Sequence, residues 1–529
     1  MISVDGVRTT VEIPDTFNLV AWLLDRHVAE GRGDRLAVVC GDEELTYAEL
    51  QERANRVGNV LRDLGLRRDE RVMVVALDGP GLLDAFFGAM KVGAVPILTN
   101  TLLKPADYKY MLNDSRATVL VISEQLLPSF ETIPRPELPH LRQVLILGEA
   151  RLGMESLPAL MRQASSKLAT VETSKDDAAF WLYSSGTTGF PKGAVHLHHD
   201  VVHTVELYAK PILGITQSDR CYSVAKLFFA YGLGNALTFP FALGATTILW
   251  PGANTAENVY AQIERYRPTL LFSVPTNYAM LLAHRREGAD FDLSCVRLGV
   301  SAGEALPKAL FDRFKKRFAV EILDGIGSTE VLHIFISNRP GHCRPGSSGQ
   351  LVPGYEAKVL DEADLPVPQG EIGNLLIKGD STCAYYWNKH ERTKDTVEGH
   401  WIRTGDKYWQ DEDGYFWYAG RSDDMLKVGG IWVSPVEIEN TLVEHAAVAE
   451  AAVVGREDKD QLVKPLAYVV LASGVAPSGE LATELQDFVR GRIAEYKRPR
   501  WIEFVGEIPK TATGKIQRYK LRERSSGSV

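Results

Sequence analysis

A chain of 529 residues that is 45% hydrophobic and 24% charged holds enough apolar material for several cores and is too long for one simple domain. A net charge of -9 and a pI near 5.8 exclude the strong positive field on which nucleic-acid binders rely, so small molecules are the expected partners. The five cysteines (Cys40, Cys221, Cys295, Cys343 and Cys383) are scattered and never in CxxC spacing, which reads as buried free thiols rather than a disulfide framework or a zinc site.

The first residues, MISVDGVRTTVEIPDTF, have no basic start followed by an apolar run, and the stretch 237–250 is broken by Pro240, Gly244 and threonines. Neither a signal peptide nor a membrane span is expected, and the expected location is cytoplasmic. Thr46 and Glu49 then form a capping-box pattern, followed by Leu50, Ala54, Val57, Leu61 and Leu64 at helical spacing until Gly65. Short apolar runs at 71–76, 117–123 and 143–148, with a helical stretch over 82–92, read as α/β layers with buried strands. The same grammar returns at 269–275 and 297–303, each run ending in small or turn-forming residues, where ligands of α/β sheets gather.

Past residue 350 the texture changes to short strands with Gly and Pro turns, and a charged turn at 420–424 marks the expected domain boundary. Beyond it, strands at 447–455 and 465–471 and a helix marked by Leu481, Leu485, Phe488, Val489 and Ile493 predict a small α+β domain. The segment 490–524 carries 11 Lys or Arg against 4 Glu, either a solvated face or a polyphosphate-binding element.

Between an apolar strand ending at Tyr183 and Gly193 lies SSGTTGFPKG, with three glycines, four hydroxyls and a lysine in ten residues. Glycines let backbone N–H groups turn toward an anion, hydroxyls add donors, and the lysine supplies a charge that can follow a departing phosphate. The spacing is not that of ordinary P-loop NTPases, because Lys192 follows a proline and precedes a glycine.

This string resembles the phosphate loop of the acyl-adenylate-forming superfamily, which includes acyl-CoA synthetases, luciferases and peptide-synthetase adenylation domains. Further segments resemble that family's motifs in order: SAGEAL at 301–306, DGIGSTE at 324–330, RTGD at 403–406, GRSDD at 420–424 and PKTATGK at 509–515. The resemblance spans roughly residues 40–520 and implies an α/β fold, with packed α/β subdomains over 1–422 and a small mobile α+β C-terminal domain over 423–529 that pivots at Asp423.

For the nucleotide, the resemblance implies that Ser184, Ser185, Gly186, Thr187, Thr188, Gly189 and Lys192 cradle the phosphates of ATP. It places adenine against Gly303, Glu304 and Ala305 and beside Ile326, with Asp324, Gly325, Gly327 and Thr329 also lining the ATP or AMP site. Asp406 and Arg421 fall to the ribose and phosphate, and Thr188 and Glu330 to magnesium. Ile326 stands where the family commonly has a tyrosine against adenine, so apolar contact replaces stacking there. Lys515 corresponds to the lysine that catalyses adenylation. Lys427 is a candidate for the thioester step after domain rotation, with Gly429 and Gly430 toward coenzyme A; Lys497, Arg498 and Arg500 are further phosphate candidates.

The wording KLFFAYGLGN at 226–235 with GSTEVLHIF at 327–335 resembles benzoate-CoA ligases in particular. The implied acyl pocket comprises Phe229, Ala230, Tyr231 and Phe239 with Ala302, Gly327, His333 and Ile334. His196 and His198 read as structural. Within 228–234 no basic residue is present to pair with a second substrate carboxylate. The expected co-substrates are ATP, coenzyme A and an aromatic carboxylate, with magnesium; no nucleic acid and no membrane span are expected, and a homodimer is compatible. Hydroxy- or aminobenzoate ligation, loading of a carrier-protein thiol, and a non-catalytic nucleotide-binding relative are the alternatives; the last is disfavoured because Lys192, Glu330, Asp406, Arg421 and Lys515 are all present.

Overall fold

The computed structural model describes residues 11–151, 153–184, 191–288, 290–422, 424–428, 431–458, 462–510 and 516–526, with backbone alone at 427, 431–432 and 525–526. The phosphate loop from Ser185 to Phe190, the hinge Asp423, the glycines Gly429 and Gly430, and Lys515 lie outside the described residues.

Among the described residues two large sheets dominate. The first has eight strands and is built on a parallel core of Arg71–Val75, Val95–Leu98, Val119–Ser123 and Gln143–Leu147. These strands are almost wholly buried, which is why they read as unbroken apolar runs rather than alternating ones. Ala178–Ser184 pairs with Val95–Leu98, then turns antiparallel into Lys192–Leu197 and on to the short edge Tyr385–Tyr386.

The second sheet has nine strands, with Arg220–Ser223, Thr246–Ile248, Leu270–Ser273, Leu298–Ser301 and Ile322–Gly327 parallel at its centre. The two sheets share one core with the helices between them. The helix Tyr47–Asp63 starts at the expected capping box and buries Leu50, Ala54, Val57 and Leu61. It crosses the helix Pro80–Lys91 so closely that a Cβ at Gly88 would lie 2.7 Å from Val57, so only glycine fits there.

A five-stranded sheet over 356–421 leads to a separate small C-terminal domain. That domain pairs Val448–Glu457 with Val463–Leu471 and adds Trp501–Phe504 in parallel. It has apolar clusters of its own, one joining Leu426, Val433, Ile438, Leu442, Leu485 and Val489, another joining Leu466, Ile508 and Leu521. No helix among the described residues is long and apolar enough to cross a membrane.

Part of the basic C-terminal segment is paired with carboxylates, while Arg490, Arg492, Arg500, Lys520 and Arg524 are exposed. Arg518 is half-buried against Glu439 at 2.7 Å and Asp424 at 3.4 Å, Lys510 pairs with Glu450 at 2.8 Å, and Lys497 holds both oxygens of Glu437 at 2.7 Å. Lys497 is therefore committed to a carboxylate and is a poor candidate for a phosphate ligand.

Candidate active site

The ends of both large sheets converge on one carboxylate. Ser184 ends one strand and pairs in register with Lys192 at the start of the return strand, so the phosphate loop is pinned at its base. Ser184 Oγ reaches Glu330 Oε1 at 3.4 Å, and Tyr386 donates to the same oxygen at 2.6 Å. The Lys192 ammonium sits over the Tyr386 ring, 4.7 Å from its centre. Burial, and next the Glu330 charge, push the Tyr386 phenol far above its usual range, so it remains a donor.

The adenine-side segments occupy adjacent strand ends, with Ser301 in register with Asp324. Gly303 takes φ +90°, a conformation that side chains rarely adopt. Asp324 accepts from Leu306 N at 3.3 Å, with the Ser301 hydroxyl beside its carboxyl. Glu304 accepts from Thr276 Oγ1 at 3.1 Å, Ala302 is buried, and Ile326 pairs in register with Ile336. A Cβ at Gly327 would lie 2.5 Å from His333 O, which holds this strand against the acyl-pocket segment.

Burial pushes the Asp324 carboxyl up to about 8, against an ordinary carboxylate value of about 4. The folded state thus keeps a proton that the unfolded chain releases, and stability falls as pH rises from about 4 through about 8. Asparagine can keep the Leu306 hydrogen bond without ionising. Asp324→Asn is expected to melt several degrees above the parent at pH 8 and alongside it at pH 4; equal melting temperatures at both values would contradict this.

Asp406 and Arg421 face each other across neighbouring strands, 3.2 Å apart. The Asp406 charge raises the Arg421 guanidinium against partial desolvation, and the Glu330 charge adds to it, which places the expected ribose pair within electrostatic reach of the phosphate carboxylate.

The acyl segment folds as a helical run, with Ala230–Leu233, a wide turn Gly234–Thr238 in which Phe239 N–H reaches back to Gly234 O, and Phe239–Leu243. Such π-turns recur at functional sites. His333 is buried among Phe239, Tyr231 and Tyr208, with ring centres 4.4, 5.6 and 5.6 Å away, and its Nε2 meets Asn235 Oδ1 at 3.1 Å. A Cβ at Gly234 would come within 2.2 Å of the imidazole, so glycine admits the ring. Burial lowers the His333 pKa to about 3, which keeps it neutral.

Tyr231 spends its hydroxyl on Ser273 O and Val300 O and turns only its ring toward His333. Ala230 and Ile334 are buried and Phe229 half-buried beside Phe228. Lys226 donates to Trp250 O at 2.6 Å and Gly252 O at 3.1 Å, which fixes its ammonium on backbone carbonyls. Lys427 pairs through its backbone with Trp432 in a hairpin.

The AMP-binding enzyme profile matches residues 25–387, and the profile of the AMP-binding enzyme C-terminal domain matches residues 437–515. The chain belongs to the AMP-binding enzyme family. Within this family it is 49% identical over 514 residues to a benzoate-CoA ligase of Thauera aromatica, covering 97% of both chains. The crystal structure of an anthranilate-CoA ligase in complex with anthranoyl-AMP superposes with a TM-score of 0.93 at 46% identity, over 97% of this chain and 98% of the other. A benzoate-CoA ligase from Burkholderia xenovorans LB400 gives a TM-score of 0.88 at 47% identity, over 96% of this chain and all of the other.

For an AMP-binding enzyme, the residues that motif reading missed are those brought in from outside the motifs. Tyr386 reaches Glu330, Tyr208 completes the surroundings of His333, and His196 donates to Thr329 O at 2.8 Å. His198 is buried and accepts from Leu19 N at 3.1 Å, a structural role as expected.

Proposed function

We propose that this chain is an AMP-forming benzoate-CoA ligase. Benzoate attacks the α-phosphate of ATP, giving benzoyl-adenylate and diphosphate; the thiol of coenzyme A then attacks the acyl carbon, giving benzoyl-CoA and AMP. The observation that carries this reading is the meeting of Ser184, Lys192, Tyr386 and Glu330 on the nucleotide side of a chain whose acyl segment closes aromatic rings around a neutral histidine. Extensive identity to a benzoate-CoA ligase supports the choice of acid.

Two anions must meet before chemistry begins, so positive charge and oriented donors are obligatory. Lys192 and the loop hydroxyls hold the triphosphate, and Arg421 with Asp406 holds the ribose side. Among the described residues no group of three or more His, Cys, Asp or Glu is placed to bind a metal alone. A single carboxylate nevertheless fits magnesium, which commonly binds through one or two carboxylates and substrate phosphates. Glu330 and Thr188 would hold it, and its charge would offset that of the leaving diphosphate.

Lys515 binds the acyl carboxylate and the oxygen bridging to diphosphate. The boundary at 422/423 allows rotation about Asp423, which withdraws Lys515 and brings Lys427, Gly429 and Gly430 to the acyl group. A thiol pKa of about 8.5 leaves enough thiolate near neutral pH for attack without a dedicated strong base. A cavity of about 500 Å³ lined by Lys464, Arg498, Arg500 and Tyr496, but also by Asp458 and Glu495, is a candidate place for part of coenzyme A.

The test is benzoate-dependent release of AMP and diphosphate, with and without coenzyme A. Release of ADP, or turnover independent of any acid, would overturn the proposal. Aminobenzoate is the second reading, supported by the likeness to an anthranilate-CoA ligase. Comparing kcat/KM for benzoate and 2-aminobenzoate separates the two.

A further inference from the structure

His196 closes the strand Lys192–Leu197, and Asp200 opens the next helical turn; both are fully buried. The His196 ring lies stacked on Phe180, with centroids 5.6 Å apart. Its Nδ1 is 2.8 Å from Asp200 Oδ2, which also accepts from Leu197 N at 3.1 Å, and its Nε2 is 2.8 Å from the carbonyl of Thr329. A carboxylate and a carbonyl can only accept, so the ring bridges them by donating from both nitrogens.

His199 adds a second imidazole contact, 3.0 Å from Asp200 Oδ1, and its other nitrogen faces Lys175 O and Asp176. Burial alone would raise the Asp200 carboxyl, but the hydrogen bond with His196 and the nearby His199 imidazole outweigh it and hold Asp200 below the usual range.

The carbonyl that His196 holds belongs to a strained turn. Thr329 O also accepts from Leu332 N at 3.3 Å, and Leu332 takes φ +70°, which leucine rarely adopts. Strained turns persist where their surroundings over-determine them. Here Cys383 N holds Glu330 O at 2.7 Å and His196 holds the preceding carbonyl, so the peptide groups on both sides of Glu330 are fixed.

We propose that Asp200 and His196 form a positioning relay for the nucleotide site: the carboxylate orients the ring, the second ring N–H holds Thr329 O, and the turn so held presents Glu330 to the triphosphate. This rests on Glu330 being the nucleotide-side carboxylate of the proposed function. His196 touches no substrate; it acts through the backbone it holds.

Asparagine and glutamine separate the two ring nitrogens, because the amide nitrogen of Asn falls near Nδ1 and that of Gln near Nε2. The KM for ATP, and the dissociation constant for ATP measured with magnesium but without acid or turnover, are expected to rise about ten- to a hundredfold in His196→Asn, the range typical of lost outer-shell partners. In His196→Gln, which keeps the bond to Thr329 O, both stay within about threefold, and the KM for benzoate stays within about twofold in each variant. Equal ATP affinity in the two variants would overturn the relay, since a merely structural histidine would weaken both alike. Should His196→Asn fail to fold, Asp200→Asn replaces it: the shape is kept, the charge is lost and ATP affinity falls, whereas parental affinity would overturn the relay. Glu330→Gln is measured in parallel. Parental ATP kinetics in that control would remove the nucleotide-site reading; a defect in it beside parental His196→Asn would remove the relay alone.

Discussion

Lys515→Ala lowers the rate of benzoyl-adenylate formation by about a thousandfold or more, the scale expected when a preorganised charge is removed from a phosphoryl-type transition state. The loop that carries Lys515 is pinned at its base, where Lys510 bridges Ile516 and Gln517 N donates to Pro509 O at 2.8 Å. Neighbouring cations are engaged elsewhere, Lys510 with Glu450, Arg518 with Glu439 and Lys497 with Glu437, so none replaces the lost charge. Single-turnover assays of the two half-reactions give the test. Adenylate formation collapses, while thioester formation from supplied benzoyl-adenylate and coenzyme A persists within about tenfold. Loss of both halves together would contradict a role confined to adenylation, and unchanged adenylation would remove the assignment.

What sequence reading reaches, and where it stops, follows from how far apart the interacting residues lie. The capping box of Thr46 and Glu49 spans three residues and forms as expected, and the run 143–148 becomes the strand Gln143–Leu147. Each phosphate or adenine motif is likewise local, because a loop that cradles an anion carries its own glycines and hydroxyls. Tyr386 has no such signature: it arrives 56 residues from Glu330 on a two-residue edge strand. His196 lies 133 residues from the carbonyl it holds, and its setting in an apolar strand discloses burial but not its partner. The pairing of Lys510 and Arg518 is hidden for the same reason, since the carboxylates that neutralise them lie 60 and 79 residues away. In the acyl segment the aromatic content is legible, but the wide turn Gly234–Thr238 that brings Asn235 and Phe239 to His333 is set by tertiary packing.

Glu330→Gln is the sharpest test of the nucleotide side because it removes charge and almost nothing else. The glutamine carbonyl can still accept from Tyr386 and Ser184, as the carboxylate does at 2.6 and 3.4 Å, and the backbone carbonyl still accepts from Cys383 N. The melting temperature is therefore expected to stay within about 2 °C of the parent, the scatter of a surface-like substitution. By contrast kcat/KM for ATP falls about a hundredfold and half-saturating magnesium rises, since one anionic donor to a hard cation is gone. Tyr386→Phe makes the complementary change. It leaves the charge and removes the hydrogen bond that aims it, so the loss stays within about tenfold. If the phenylalanine variant lost as much as the glutamine variant, orientation rather than charge would be the dominant contribution of Glu330. A parental magnesium dependence in Glu330→Gln would place the metal elsewhere, and the convergence of the two sheet ends on this carboxylate would then serve the turn rather than the triphosphate.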